Sequence, residues 1–168
     1  MELREIQRPL KEQYRAQPDA ARITLRAQGL AADSAMACSV DLGRALYAAQ
    51  AHVGVGGSGT AACSGDLLLG ALAACTQLTA QMVAANMGLR VERLEVTVEG
   101  DLDLRGTLGV DPDAPVGFEA IRTRFDVVAP GASDEQLAKL RERAERYCVV
   151  LQTLRQPPSI EAEWRVQG

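Results

Sequence analysis

A long apolar segment between residues 64 and 88 constrains the fold of this chain more than any other feature. Its apolar side chains fall on more than one helical face: Leu67, Leu68, Leu69, Ala71, Leu72, Ala74, Leu78, Met82 and Val83. A helix that is apolar on nearly all sides has to be surrounded by other structure. We therefore predict a central helix that starts at Ser64, whose hydroxyl can cap a free backbone N–H, and ends near Gly88. The helix dipole would favour the negative charge of Asp66 in the first turn.

The central segment is predicted to be a core helix and not a membrane span. Its most apolar part, residues 67–75, gives way to polar residues from Thr76 onward, whereas a bilayer needs about 20 apolar residues. Residues 1–5 carry charges where an export signal needs an apolar core. We therefore expect a cytoplasmic protein with no membrane partner, whose 4 cysteines stay reduced.

Segments in which apolar and polar residues alternate flank the central helix and predict strands. These segments are residues 21–29, about 35–40, 94–99, 102–106, 118–128 and 160–166. Gly100 interrupts the alternation between 94–99 and 102–106, so these two segments predict a hairpin or a strand pair. Residues 118–128 predict the third strand of that sheet, and residues 160–166 predict a closing strand after Pro157.

A second helix and two domain-level features complete the organisation. The run from Ser133 to Gln136 fits a capping box, and apolar residues at helical spacing follow it as far as Cys148. Residues 52–59 are rich in glycine and predict a loop. Residues 9–17 predict a short peripheral helix, so we assign residues 1–20 to an N-terminal helical extension and residues 21–168 to a single domain. Strands, a long helix, strands, a helix and a strand make an α+β fold.

Charge and composition exclude two classes of function. The net charge is −4, the pI is near 5.1 and no basic run is present, which argues against a nucleic-acid partner. His52 is the only histidine and no CxxC motif occurs, so no metal or other cofactor is expected. The residues left to carry chemistry are the cysteines, although a lone buried cysteine often behaves as a small apolar side chain.

Two cysteine motifs carry a resemblance to a known family. Residues 64–76 hold an acidic residue, a leucine-rich turn, small residues and then Cys75 followed by Thr76. Residues 144–150 place Cys148 at the end of the second predicted helix. Both motifs resemble those of the OsmC/Ohr superfamily, and with Gly56 and Gly57 ahead of the first motif the resemblance covers about residues 20–166.

The resemblance implies an OsmC-like fold, in which antiparallel sheets surround two long central helices in an intertwined homodimer. It implies a thiol-dependent peroxidase that reduces organic hydroperoxides, with hydrogen peroxide as a further candidate substrate, Cys75 as the peroxidatic residue and Cys148 as the resolving residue. A dithiol reductant of the lipoyl or thioredoxin type would then reset the pair.

Asp66 matches the acidic position of the family motif, yet it cannot touch the cysteine of its own chain. The residues between Asp66 and Cys75 put the two about 13.5 Å apart along a helix and about 180° around it. We therefore expect Asp66 to serve the partner's site or, equally, to compensate the helix dipole. The peroxidases of this superfamily pair a Glu with an Arg that holds the peroxidatic cysteine as a thiolate. This chain has no Arg just before the helix. Arg44, and after it Arg26, are the candidates to activate Cys75, or else they are solvated charges at strand ends.

Further departures from the family pattern keep other hypotheses open. Val149 stands where the family often has proline, Cys63 is an additional thiol that is either an alternative resolving partner or simply buried, and His52 either lines the site or is an exposed loop residue. One alternative is a dimer without peroxidase turnover that binds a small hydrophobic or electrophilic ligand at its seam. Another is a structural dimer whose cysteines are inert.

Overall fold

The computed structural model describes residues 28–31, 37–41, 46–109 and 111–167, together with Glu5, Ala16 and Gln17. The predicted helix at residues 9–17 lies almost entirely outside the described residues, as does most of the predicted strand at 21–29. Arg26 and Arg44 also lie outside them.

An antiparallel sheet of three strands precedes the central helix. Its strands are β1 (Gln28–Ala31), β2 (Ala37–Asp41) and β3 (Leu46–Gln50), in the order β1-β2-β3. Strand β2 confirms the strand predicted at about 35–40, whereas β3 was not predicted. The backbone N–H of Gln50 donates to the carbonyl of Ala62 at 3.0 Å, so β3 is tied to the start of the helix. A short 3-10 turn, Val53–Val55, lies in the predicted glycine-rich loop.

The central helix α1 (Ser64–Met87) confirms the main prediction, with one correction at its start. Ser64 is already helical, and the capping residue is Cys63, whose backbone is extended. Gly88 ends the helix in the left-handed conformation at φ 69°, which a glycine adopts without strain. The buried side chains of α1 share one face: Leu72, Thr76, Thr79, Ala80, Val83 and Ala84. The packed core joins this face to Leu140 of the next long helix.

The opposite face of α1 is apolar and exposed in the single chain. An 18-residue stretch of α1 has a mean hydropathy of 1.5, and only 28% of that stretch is buried. By length and composition alone, α1 is therefore apolar enough to cross a membrane. The core helix of a soluble protein passes the same test. Because Leu78 and Met82 on this face are exposed, α1 still has apolar surface to cover after the chain has folded.

The second sheet pairs β4 (Arg93–Asp101) with β5 (Ala120–Val128), antiparallel and in register from Arg93↔Val128 to Asp101↔Ala120. The predicted strands at 94–99 and 118–128 are confirmed. The predicted strand at 102–106 is wrong, because a short helical turn, α2 (Leu104–Thr107), occupies it and Asp103 caps that turn by accepting from the N–H of Arg105 at 3.0 Å. Gly100 pairs with Ile121 and so continues β4 without interrupting it. The ring of Phe118 packs where a side chain at position 100 would lie, which favours a glycine there.

Two consecutive helices follow the second sheet. Helix α3 (Asp134–Tyr147) has the predicted capping box, in which Gln136 N–H donates to Ser133 Oγ at 3.2 Å and Ser133 N–H donates to Gln136 Oε1 at 2.9 Å. Helix α4 (Val149–Arg155) was not predicted. Cys148 lies between them with an extended backbone, as the last cap of α3 and the first cap of α4.

The predicted closing strand at 160–166 is wrong for the single chain. Residues 157–167 have no regular secondary structure, and Ile160, Trp164 and Val166 are 89%, 88% and 85% exposed. The alternation in the sequence is genuine, but no described strand of the same chain pairs with the segment. A strand needs a hydrogen-bonding neighbour as well as an alternating pattern.

Candidate active site

The fold brings Cys75 and Cys148 together. Cys75 lies half-buried on α1, and Cys148 lies fully buried at the junction of α3 and α4. Their side chains are hydrogen-bonded to each other, and both are free thiols. This pairing joins the middle of α1 to a junction far along the chain, because α3 and α4 both pack against α1.

The hydrogen bonds at the Cys75 sulfur favour its ionised form. Burial raises the pKa of Cys75, but the backbone N–H of Val150, the side chains of Cys148 and Thr79, and the backbone N–H of Val149 all lower it. The net result is a pKa below that of an ordinary thiol. Hydrogen bonds donated to a thiolate stabilise the charge, which is one of the means by which cysteines become reactive.

The donors from α4 are available because of how that helix begins. The first N–H groups of a helix have no acceptor within it. Cys148 caps α4 by its backbone position alone and accepts no hydrogen bond there through its side chain. The N–H groups of Val149 and Val150 therefore bond to Cys75 instead.

These donors were not predicted from the sequence, because the helical region was predicted to end at Cys148 and the family motif indicates an arginine as the activating group. The available signal was Pro157, since prolines often follow the end of a helix, and residues 149–155 before it contain good helix formers. Arg44 and Arg26, the predicted activating cations, lie outside the described residues, and their role stays a prediction.

Asp66 lies at the start of α1 and not beside Cys75. Its carboxylate accepts from the backbone N–H of Cys63 at 2.9 Å, and its own N–H donates to Cys63 Sγ at 3.4 Å. The hydrogen bond from the Cys63 backbone is the largest cause that lowers the pKa of Asp66, and a hydrogen bond with the Cys63 side chain lowers it further. Within one chain Asp66 is thus a helix-capping residue, about two and a half helical turns from Cys75.

A cavity of about 790 Å³ opens beside this capping box. Its polar lining comes from Gln50, His52, Cys63 and Asp66. Its apolar lining comes from Val55, Leu68, Leu69, Leu102, Leu104, Val116 and Phe118. His52 is exposed and caps the 3-10 turn, with its Nδ1 accepting from the N–H of Gly54 at 3.0 Å. The volume falls within the range of pockets that hold small molecules.

Metal chemistry has no site in the described part of the chain. No group of three or more His, Cys, Asp or Glu side chains among those residues is placed to hold a metal ion. The cysteine pair is the candidate for chemistry in the described part of the chain, and the cavity beside Cys63 is a candidate for binding.

Comparison with known proteins points to one family. The model of the family "OsmC-like protein" matches residues 57–163, which include both cysteines of the pair. The crystal structure of an OsmC-like protein from Mycoplasma pneumoniae has a TM-score of 0.66 and 16% identity, covering 80% of this chain and 89% of that one. No curated protein matches the chain.

Two further solved structures with this fold are called organic hydroperoxide resistance proteins. The one from Elizabethkingia anophelis has a TM-score of 0.59 and 17% identity, covering 82% of this chain and 91% of that one. The one from Legionella pneumophila has a TM-score of 0.57 and 20% identity, covering 81% and 92%. Likeness at this level of identity establishes a shared fold of helices and antiparallel sheets.

Proposed function

Because the chain belongs to the OsmC-like protein family, we propose that it is a thiol-dependent peroxidase that reduces organic hydroperoxides. Cys75 is the peroxidatic residue and Cys148 the resolving residue. The organic substrate is favoured by relatives of the same fold that are called organic hydroperoxide resistance proteins. The protein would act in the cytoplasm, where its thiols can be reset.

One observation carries the proposal: the half-buried Cys75 sulfur accepts hydrogen bonds from two backbone N–H groups and from Thr79 and Cys148. Peroxide attack requires a thiolate, and an ordinary thiol with a pKa of about 8.5 is only slightly ionised at neutral pH. The lowered pKa of Cys75 supplies more of the reactive form. Its hydrogen-bonded neighbour is a second free thiol.

The reaction divides into three steps. The Cys75 thiolate attacks the O–O bond, takes one oxygen as a sulfenic acid and releases the other as an alkoxide, which is protonated to an alcohol. Cys148 then forms a disulfide with Cys75, and the sulfenic oxygen leaves as water. A dithiol of the lipoyl or thioredoxin type reduces the disulfide and is itself oxidised to a disulfide.

The proposal is tested with cumene hydroperoxide, hydrogen peroxide and a dithiol donor. The reduced protein should consume the organic peroxide in preference, and mass spectrometry after one equivalent should show a Cys75–Cys148 disulfide. Cys148→Ser should react once per site and stop, with Cys75 trapped as sulfenic acid or oxidised further. A wild-type protein that forms no such disulfide and consumes no peroxide would refute the proposal.

We also propose that the working form is an intertwined homodimer. The exposed apolar face of α1 and the exposed, unpaired apolar residues of the C-terminal segment support it. A partner copy that covers α1 could also bring its Asp66 towards Cys75. Light scattering should give about twice the chain mass of 17.9 kDa, and a folded monomer at micromolar concentration would contradict the dimer.

The cavity beside Cys63 supports a second candidate function. A protein without peroxidase turnover could hold a small hydrophobic ligand there, with the polar groups at one end fixing its orientation. Saturable binding of an apolar fluorescent probe, together with no peroxide consumption, would favour this function over the first.

A further inference from the structure

The hydroxyl of Thr76 lies between a helix carbonyl and the sulfur of Cys148. Thr76 and Cys148 are both 0% exposed. Thr76 Oγ1 donates to the carbonyl oxygen of Leu72 at 2.5 Å and lies 3.5 Å from Cys148 Sγ, in a contact where either atom can donate. A hydroxyl has one hydrogen, so it can serve only one of these two acceptors at a time.

The two arrangements of this hydrogen correspond to two states of Cys148. While Cys148 is a thiol, the Thr76 hydroxyl donates its hydrogen to the Leu72 carbonyl, and the S–H group of Cys148 can itself act as a donor. Once Cys148 loses its proton, its sulfur is only an acceptor, and rotation of the hydroxyl turns the hydrogen towards it. The Leu72 carbonyl is not left unpaired by this rotation, because in an α-helix it also accepts from the backbone N–H four residues later.

Cys148 needs such a donor because the others nearby are committed to Cys75. The N–H groups of Val149 and Val150 bond to the Cys75 sulfur, and Cys148 makes no side-chain capping bond to α4. A buried anion without a donor is strongly disfavoured. Among the described residues, Thr76 and Cys75 are hydrogen-bond partners of the Cys148 sulfur.

We propose that Thr76 is a positioning residue for the resolving step, in which its hydroxyl stabilises the Cys148 sulfur as the anion that attacks oxidised Cys75. The inference rests on the proposed function, because it takes Cys75 to be oxidised first. In that step a bond forms between the two sulfurs and the S–O bond of the sulfenic acid breaks. The leaving hydroxide takes up the proton released by Cys148 and departs as water. The peroxide has already supplied the oxidising equivalents.

The test compares Thr76→Val, which keeps the shape and loses the hydroxyl, with Thr76→Ser, which keeps the hydroxyl. Thr79→Val is the matched contrast, since the side chain of Thr79 donates to Cys75. Quenched samples analysed by mass spectrometry separate the oxidation of Cys75 from the formation of the disulfide. Each variant is treated with cumene hydroperoxide and, separately, with diamide, which adds to a thiolate and is displaced from sulfur by a second thiolate.

Thr76→Val should slow disulfide formation about tenfold or more, since a hydrogen bond to a charged group is lost. The first step should slow much less. Thr76→Ser should restore the rate of disulfide formation, which a purely structural role would not require. Thr79→Val should show the reverse pattern and slow mainly the first step. If Thr76→Val does not fold, Thr76→Ala serves as the variant without a hydroxyl.

The two oxidants separate the two proposals. If peroxide oxidises Cys75 in no variant, the proposed function fails, while diamide still measures the attack by Cys148. If the variants without the hydroxyl form the disulfide at the wild-type rate with diamide, or if Thr76→Ser is as slow as they are, the role of Thr76 is refuted.

Discussion

Helix α1 carries one cysteine at each of two very different places, and the comparison shows what makes a thiol reactive. Cys63 caps the helix: its sulfur accepts the N–H of Asp66 at 3.4 Å, while its own N–H binds the Asp66 carboxylate. Cys75 lies in the middle of the helix and accepts from the backbone of Val150 and Val149 and from two side chains. Both residues are half-buried free thiols. The two thiols therefore differ in their hydrogen-bond partners and not in their exposure.

The charge near each sulfur differs as well. The Asp66 carboxylate belongs to the same capping box as Cys63, whereas the groups that bond to Cys75 are all donors. Donors stabilise a thiolate. Cys63 therefore serves to cap the helix, and the donors around Cys75 suit the middle of the helix for chemistry.

The largest expected effect contrasts the two cysteines in the peroxidase assay. Cys75→Ser should abolish peroxide consumption, because a serine hydroxyl is not ionised at neutral pH and cannot be oxidised by this route. Cys63→Ser should leave the rate within about twofold, since serine also caps helices. Steady-state rates with cumene hydroperoxide and a dithiol measure both. Loss of activity in Cys63→Ser would make Cys63 part of the reaction, as an alternative resolving thiol.

An intermediate effect is expected in the pH dependence of thiol labelling. Because the pKa of Cys75 is lowered in the folded chain, its iodoacetamide labelling should reach half its plateau rate at a lower pH in the folded protein than in the denatured protein. By linkage, Cys75 contributes stability that is fully present above the unfolded pKa and is lost as pH falls through the folded one. Thr79→Val should move the labelling midpoint upward.

The control for the labelling experiment is Cys75→Ser, in which the low-pH phase should vanish. Persistence of that phase would assign it to another cysteine. A midpoint in the folded wild type that is no lower than in the denatured protein would contradict the role of the hydrogen bonds.

The sequence predicted those parts of the fold whose causes are local. The all-round apolar segment predicted α1, and the capping box from Ser133 with the helical spacing after it predicted α3, which ends at Tyr147, one residue before the predicted end. The alternation at 118–128 predicted β5. Strand β3 was missed because its residues, Leu46–Gln50, do not alternate clearly, and it is held by its pairing with β2.

The sequence predicted the two cysteines of the candidate site but not the groups that lower the pKa of Cys75. The motifs around Cys75 and Cys148 identified the pair, whereas the backbone donors of Val149 and Val150 have no side-chain signature. Any residue except proline can supply an N–H group. The strand predicted at 160–166 is wrong for a different reason. Its residues alternate as expected, but no strand among the described residues pairs with them.

The smallest expected effect concerns the free energy of unfolding at the start of α1. Cys63→Ser should stabilise the protein slightly or leave it unchanged, because oxygen accepts the Asp66 N–H at a shorter distance than the 3.4 Å of the sulfur. Cys63→Ala should cost about 1 kcal/mol through loss of the cap. Ser133→Ala at the start of α3, where the same capping box is formed with oxygen, is the matched control and should cost at least as much. Chemical denaturation at neutral pH under reducing conditions, with the denaturant slopes compared, measures all three. If Cys63→Ser destabilised the protein more than Cys63→Ala did, the sulfur would have a role beyond capping, and the contrast between Cys63 and Cys75 would have to be abandoned.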